Sequence, residues 1–277
     1  MKNFIKLVNF ELNRFFPIYA ALGILTIILQ VIGVFITSND YIYQIEEQTK
    51  MGIVKESAII LEIGQMGMSR FVGSLWFVGP IALCVVTLLI YSLFIWYRDW
   101  FGKNTFIYRL LMLPTERLNL YLSKAVAIFL MVLGLVTLQL VLLLVEEQLF
   151  SMLIPAAYIK TSTISQTILG SKYLLVLYPT SFIAALANYS RGFIAILVLF
   201  TLILLERSFK FKGLLLAGVY SVLTLICLFA PYWIQAIFNR QLFFTSELFW
   251  ITLALTFVVG AISIWISHRL LNKRITV

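Results

Sequence analysis

LYLSKAVAIFLMVLGLVTLQLVLLLV, residues 120–145, carries one charged side chain, Lys124, and one amide, Gln139, in 26 residues. Wound as an α-helix at 1.5 Å per residue, it covers about 39 Å. The hydrocarbon core of a bilayer is about 30 Å thick, and a chain crossing it must satisfy its backbone polar groups internally, which a helix does. The stretch therefore reads as a transmembrane helix. Runs of the same kind occupy residues 16–37, 71–97, 181–205, 213–233 and 249–267. With their connecting loops the six use almost all of the 277 residues, of which 62% are hydrophobic and 12% charged. Mean hydropathy is +1.00, and a soluble domain carries about twice that share of charge. A water-soluble fold is excluded, and no room remains for a large soluble domain.

The charges set an orientation. With the N-terminus placed inside, the inner segments hold 14 of the 21 basic residues, among them Lys2, Lys6, Arg14, Arg98, Arg117, Lys124, Arg207 and Arg274. The outer segments hold the other seven, together with eight of the 12 acids. Basic residues favour the cytoplasmic side of membrane spans, so both termini are expected in the cytoplasm. The same rule explains the net charge of +9 without nucleic acid, for which no readable motif is present. Cys84 and Cys227 sit singly in apolar runs and read as small hydrophobes, not as a disulfide framework.

Outside the spans, residues 1–15 place Phe4, Leu7, Val8, Leu12 and Phe15 at helical spacing, with Lys2, Lys6, Asn9 and Asn13 largely on another arc. This predicts an amphipathic elbow helix lying in the interface, separated from the first span by a break at Pro17. It does not read as a signal peptide, because polar residues interrupt the apolar ones and no small-residue cleavage site comes after them. Residues 53–70 mix apolar side chains with Glu56, Glu62 and Gln65 at helical spacing and predict a surface helix. KTSTISQT, residues 160–167, reads as a loop or a capped helix start. Neither outer segment, 38–70 or 146–180, is long enough for a domain, and no internal repeat is present. The expectation is a single transmembrane domain over residues 1–277, an all-α integral membrane protein.

Catalytic chemistry finds no support. The only Gly-Lys pair, Gly102-Lys103, is followed by Asn104 and lacks the upstream glycine of a phosphate-cradling loop. Glu146-Glu147 is followed by Ser151 where the EExxxR signature of one intramembrane protease family has its arginine. The single histidine, His268, lies in the basic tail, and hydrolytic metal chemistry needs several converging ligands. Neither a catalytic residue nor a metal site is expected in this chain. Arg191 is the one strongly polar residue well inside a span, about ten residues from its outer end. A charge there is costly unless paired or hydrated. It is either a functional group, paired with Glu146 or Glu147 as a folding contact or an outer gate, or a snorkelling side chain in a broken helix marked by Asn188, Ser190 and Gly192.

The most informative connection is residues 98–117, ending at Arg117 after Leu113, Pro114, Thr115 and Glu116. Trp100, Phe101, Phe106, Ile107 and Tyr108 make it too apolar for a solvated loop, although it also carries Arg98, Lys103 and Arg109. The pattern predicts an amphipathic helix over residues 98–112, which Pro114 ends, with Thr115 as the cap of the next helix. Here the chain resembles the permeases of the type-2 family of ATP-binding-cassette exporters. Members have an elbow helix, six spans, cytoplasmic termini and a first intracellular loop carrying a coupling helix. That loop has a phrase close to L-P-x-x-R with a Lys seven residues on, matched here by Leu113, Pro114, Arg117 and Lys124. The resemblance covers the whole chain in topology and only residues 98–124 in motif.

The resemblance implies a transport subunit of the bacterial plasma membrane that is not itself an enzyme. Asp99, Lys103, Phe106, Tyr108, Arg109, Pro114, Glu116 and Arg117 would meet a dimer of separate ATPase subunits, which bind the ATP and Mg. A second permease chain, identical or a sister, would complete the path among the membrane lipids. The cargo would be an amphiphile such as an antimicrobial peptide, a drug or a lipid-linked molecule. Two other classes compete, an ion-coupled secondary transporter and a non-transporting scaffold or sensor. The first calls for interrupted helices with ionisable groups near the midplane, where the sequence offers only Arg191.

Overall fold

The structure is a computed structural model, and it describes residues 2–52, 56–101, 116–160, 162–209, 211–238 and 242–273. Ten α-helices are formed by the described residues. They are α1 (Lys2–Lys50), α2 (Glu56–Ile63), α3 (Met68–Val72), α4 (Leu75–Phe101), α5 (Arg117–Leu153), α6 (Ile164–Gly170), α7 (Lys172–Leu177), α8 (Phe182–Phe209), α9 (Phe211–Phe238) and α10 (Thr245–Lys273). Six of them, α1, α4, α5, α8, α9 and α10, are long and apolar enough to cross a membrane. No strand occurs among the described residues; a single β-bridge joins Met66 and Ile159. The fold is an all-α multi-pass membrane architecture.

Helix α1 departs from the sequence expectation. The predicted break at Pro17 is absent, and one helix continues from Lys2 to Lys50 with Pro17 inside it. Proline forfeits one helical hydrogen bond and crowds the carbonyl four residues earlier, yet membrane helices tolerate this where neighbours re-satisfy the backbone. Residues 2–15 are thus continuous with the first span, and no separate elbow helix forms. Apolar side chains alone define the sequence limits of the spans, whereas the helices persist beyond them: α1 passes Asp40, Glu46 and Glu47, and α5 runs on to Leu153.

The expected surface helix over residues 53–70 is interrupted. Gly64 has φ +76°, a conformation that glycine adopts without steric cost, and it ends α2 so that Met66 can pair with Ile159. Met66 N–H donates to the Tyr158 carbonyl at 3.0 Å, and Lys160 N–H to the Met66 carbonyl at 2.8 Å. The Ser/Thr-rich stretch caps a helix as expected: Thr163 and Gln166 form a capping box at the start of α6.

The chain divides into two compact units whose boundaries fall inside long helices. One comprises Phe15–Thr87 and Met131–Ala185. Its core joins Val34 and Tyr41 of α1, Phe71 of α3, Phe77 of α4, and Leu143 and Phe150 of α5. The Phe71 ring meets Phe77 and Phe150 edge-on at centroid distances of 5.7 and 5.2 Å, the arrangement favoured by the ring quadrupole. Gln30 of α1 donates to Gln139 Oε1 of α5 at 3.1 Å and lies 3.3 Å from the Phe77 carbonyl. A Cβ added at Gly33 would lie 2.5 Å from Trp76 Cβ, so glycine is required for α1 and α4 to approach this closely.

The other unit comprises Met1–Arg14, Leu88–Leu130 and Leu186–Val277. Trp96, Tyr121 and Phe200 form its aromatic centre, with Phe200 edge-on to both others. A polar seam runs beside it. Tyr121 Oη donates to the Leu197 carbonyl at 2.7 Å, Thr201 and Ser267 hydroxyls lie 3.0 Å apart, and Tyr220 and Ser263 hydroxyls 2.6 Å apart. Hydroxyls bonded across helices hold membrane bundles together, at about 0.6 kcal/mol each on average.

Candidate functional site

Five charged side chains from three helices meet in the second of these units. Lys124 of α5 is fully buried, as is Asp99 of α4, and Glu11 of α1 is 1% exposed. Lys124 Nζ donates to Glu11 Oε1 and to Asp99 Oδ2, both at 2.6 Å. Arg14 donates to the other Asp99 oxygen at 2.7 Å, and Arg98 approaches Glu11 Oε2 at 3.4 Å. Helix geometry accounts for the convergence on α1, because Glu11 and Arg14 are three residues apart and share a face. The ammonium also lies 5.4 Å from the centre of the Trp96 ring, near enough for the ring quadrupole to attract it.

Both buried acids are ion-paired, and each also has an arginine that is about a third exposed or less. The cluster's net contribution to stability is small, since desolvating each ion costs several kcal/mol and offsets the attraction. What it supplies is a fixed geometry that is expensive to break. That geometry ties α1 to the two helices flanking residues 102–115. Asp99 stands two residues before the end of α4, and Lys124 lies in the second turn of α5. Two further contacts brace these ends. Arg117 donates to the Leu271 carbonyl of α10 at 2.6 Å. Tyr97 donates to Glu206 of α8, with Arg207 4.7 Å from the Tyr97 ring centre.

Of the residues expected to meet an ATPase, Lys103, Phe106, Tyr108, Arg109 and Pro114 lie outside the described residues. Glu116 is exposed and Arg117 half-buried. Asp99 is assigned differently: its carboxylate is buried and both oxygens are engaged within the cluster, so it is a positioning group for the segment's root and does not face outward. Sequence reasoning misses Glu11 altogether and gives Lys124 no partner. The available signal is that Glu11, Asp99, Glu116 and Glu206 are the only acids in the basic segments.

The intramembrane residues also separate. Arg191 on α8 donates to Thr252 of α10 at 3.2 Å and lies 5.5 Å from the Phe249 ring centre. Glu146, its expected partner, belongs to the other unit, where both its oxygens are buried without a hydrogen-bond partner among the described residues. Glu147, half-buried, lines a cavity of about 80 Å³ with Lys160, Ser151 and Ser162. Among the described residues, no group of three or more His, Cys, Asp or Glu side chains is placed to hold a metal ion.

Comparison with known proteins yields no matching family model, curated protein or solved structure.

Proposed function

We propose that the chain is the membrane-spanning permease subunit of an ATP-driven exporter of the type-2 ATP-binding-cassette family. It forms the translocation path for an amphiphile such as an antimicrobial peptide, a drug or a lipid-linked molecule, in the bacterial plasma membrane. A separate ATPase dimer binds ATP and Mg and grips the coupling segment, residues 98–117, and a second permease chain completes the path. The observation that carries this reading is the buried cluster of Glu11, Asp99 and Lys124, which binds both roots of that segment to α1. A push on the segment then moves three membrane helices as a unit, since a loop on independently mobile helices would dissipate it. The half-buried Arg117, bonded to α10, extends the same lever.

The test has two parts. The purified chain alone shows no nucleotide-dependent thermal stabilisation, in keeping with a sequence that lacks a phosphate loop. Co-expressed with an ATP-binding-cassette ATPase encoded beside it, the chain co-purifies as two permease and two ATPase chains. A permease that never recruits an ATPase overturns the assignment.

Orientation is tested separately. In a background lacking Cys84 and Cys227, Lys50→Cys and Lys160→Cys, both at exposed positions, react with a membrane-impermeant maleimide in intact cells. Asn104→Cys and Lys273→Cys react only after the membrane is opened. The reverse pattern would place the termini outside and remove the coupling role of residues 102–115.

A second reading, ion-coupled secondary transport, is favoured by one observation, the buried unpartnered carboxylate of Glu146 in α5. Intramembrane acids of this kind mark ion pathways. Transport that persists without any ATPase would select it.

A further inference from the structure

We infer that Glu146 is the anionic ligand of a monovalent-cation site between α1, α4 and α5. Glu146 is 0% exposed, and neither carboxylate oxygen has a hydrogen-bond partner among the described residues. A buried carboxylate without a donor or a counter-charge is unfavourable, so it is compensated either by a proton or by a bound cation, and the oxygens around it decide between the two. Further buried side-chain oxygens without a hydrogen-bond partner occur among the described residues, Gln30 Oε1 and the hydroxyls of Ser38 and Ser74 among them, and these two hydroxyls lie beside the same apolar core as Glu146.

Ser38, Ser74 and Glu146 are each flanked by members of one apolar core. Ser38 falls between Val34 and Tyr41 of α1, Ser74 between Phe71 and Phe77 at the start of α4, and Glu146 between Leu143 and Phe150 of α5; all six flanking residues belong to one apolar core. The register of α1 against α5 is set by the bond between Gln30 and Gln139. Val34 and Leu143 come four residues after these amides, and Ser38 and Glu146 one helical turn further on each helix. Trp76 packs on Gly33, which sets Ser74 beside the same stretch of α1. An ionised carboxylate and two hydroxyls present hard oxygen donors, which suit alkali cations and not transition metals. A single carboxylate balances a single positive charge.

A cation here would serve an ATP-driven or an ion-driven cycle equally, so the site stands whatever drives transport. The full chain is purified in a nanodisc, and its melting temperature is compared in sodium, potassium and choline chloride at equal ionic strength. Sodium or potassium raises the melting temperature over choline in a saturable way. Glu146→Gln keeps the shape, removes the charge and abolishes that rise while remaining folded in choline. Ser38→Ala retains the rise but needs about tenfold more cation for half-saturation, the loss of roughly one bond to a charged group. Should Glu146→Gln not fold, the Ser38→Ala titration carries the test by itself. Identical melting of the wild type in all three salts assigns the compensating charge to a proton and overturns the site. A cation response that survives in Glu146→Gln overturns it as well. Recruitment of an ATPase is scored on the same preparations, so failure of the cation site and failure of the permease reading are separate results.

Discussion

Lys124→Met is expected to remove most of the folded protein from detergent extracts. The substitution takes away the one ammonium that bonds both Glu11 and Asp99 and leaves two buried carboxylates supported only by arginines at the edge of the cluster. Removing one partner of a buried pair costs about 3–5 kcal/mol. Set against a total stability of about 5–15 kcal/mol, that loss is decisive for many membrane domains. Size-exclusion chromatography and thermal melting measure it. Adding Glu11→Gln and Asp99→Asn to the same chain is expected to restore most of the stability, because no fully buried charge then lacks a partner and the two arginines that remain, Arg14 and Arg98, are about a third exposed or less and can turn to water. A Lys124→Met protein that melts with the wild type would show that the cluster does not brace the helices. With it would go the physical support for transmission through residues 102–115.

The second large effect concerns that segment. Replacing Phe106, Tyr108 and Arg109 together by Ala is expected to leave membrane insertion intact, reduce transport to background and weaken ATPase retention by at least tenfold. Aromatic and arginine side chains dominate binding energy at protein interfaces, each costing about 2 kcal/mol or more at a hot spot, and every 1.4 kcal/mol is tenfold. Expression in the membrane, co-purification and export are measured on the same cells. Normal transport by the triple variant would reduce residues 102–115 to a topogenic connector.

The two effects draw on parts of the chain that differ in how readable they are. The six spans are legible because apolar runs such as residues 120–145 leave a bilayer-crossing helix as the only way to satisfy the backbone. Helix ends are less so: Pro17 in α1 and the polar residues after Thr37 look like boundaries in one dimension. Contacts with neighbouring elements, such as Tyr41 donating to the Gly64 carbonyl, accompany the helix past the apolar run. Gly64 gives no warning in the sequence that it splits residues 53–70, since a glycine's sign of φ depends on what the chain pairs with next, here Met66 with Ile159.

The charged cluster is visible in the sequence only in pieces. Lys124 stands out as the sole charge in its run and reads as the cytoplasmic start of the third span, a place where a basic residue needs no partner. Its two acids lie 113 and 25 positions away, and no periodicity links them. Asp99 is placed at the docking surface by the family resemblance alone; in the fold its position on α4 turns it inward. Arg191 and Glu146 illustrate the converse. Their charges suggest a pair, and complementarity of charge says nothing about which helix each side chain faces. Arg191 meets a hydroxyl and an aromatic ring, leaving Glu146 to be explained otherwise.

The most direct measurement of coupling through residues 102–115 is a site-specific photo-cross-link. A photoreactive amino acid replaces Phe106 in the full chain, cells are irradiated intact, and the adduct is identified by mass spectrometry, with Tyr43 substituted in parallel as the opposite-side control. The expected result is a covalent adduct between position 106 and an ATP-binding-cassette ATPase that position 43 does not form. Absence of any ATPase adduct from position 106, while ATPase is present in the same membranes, would contradict it.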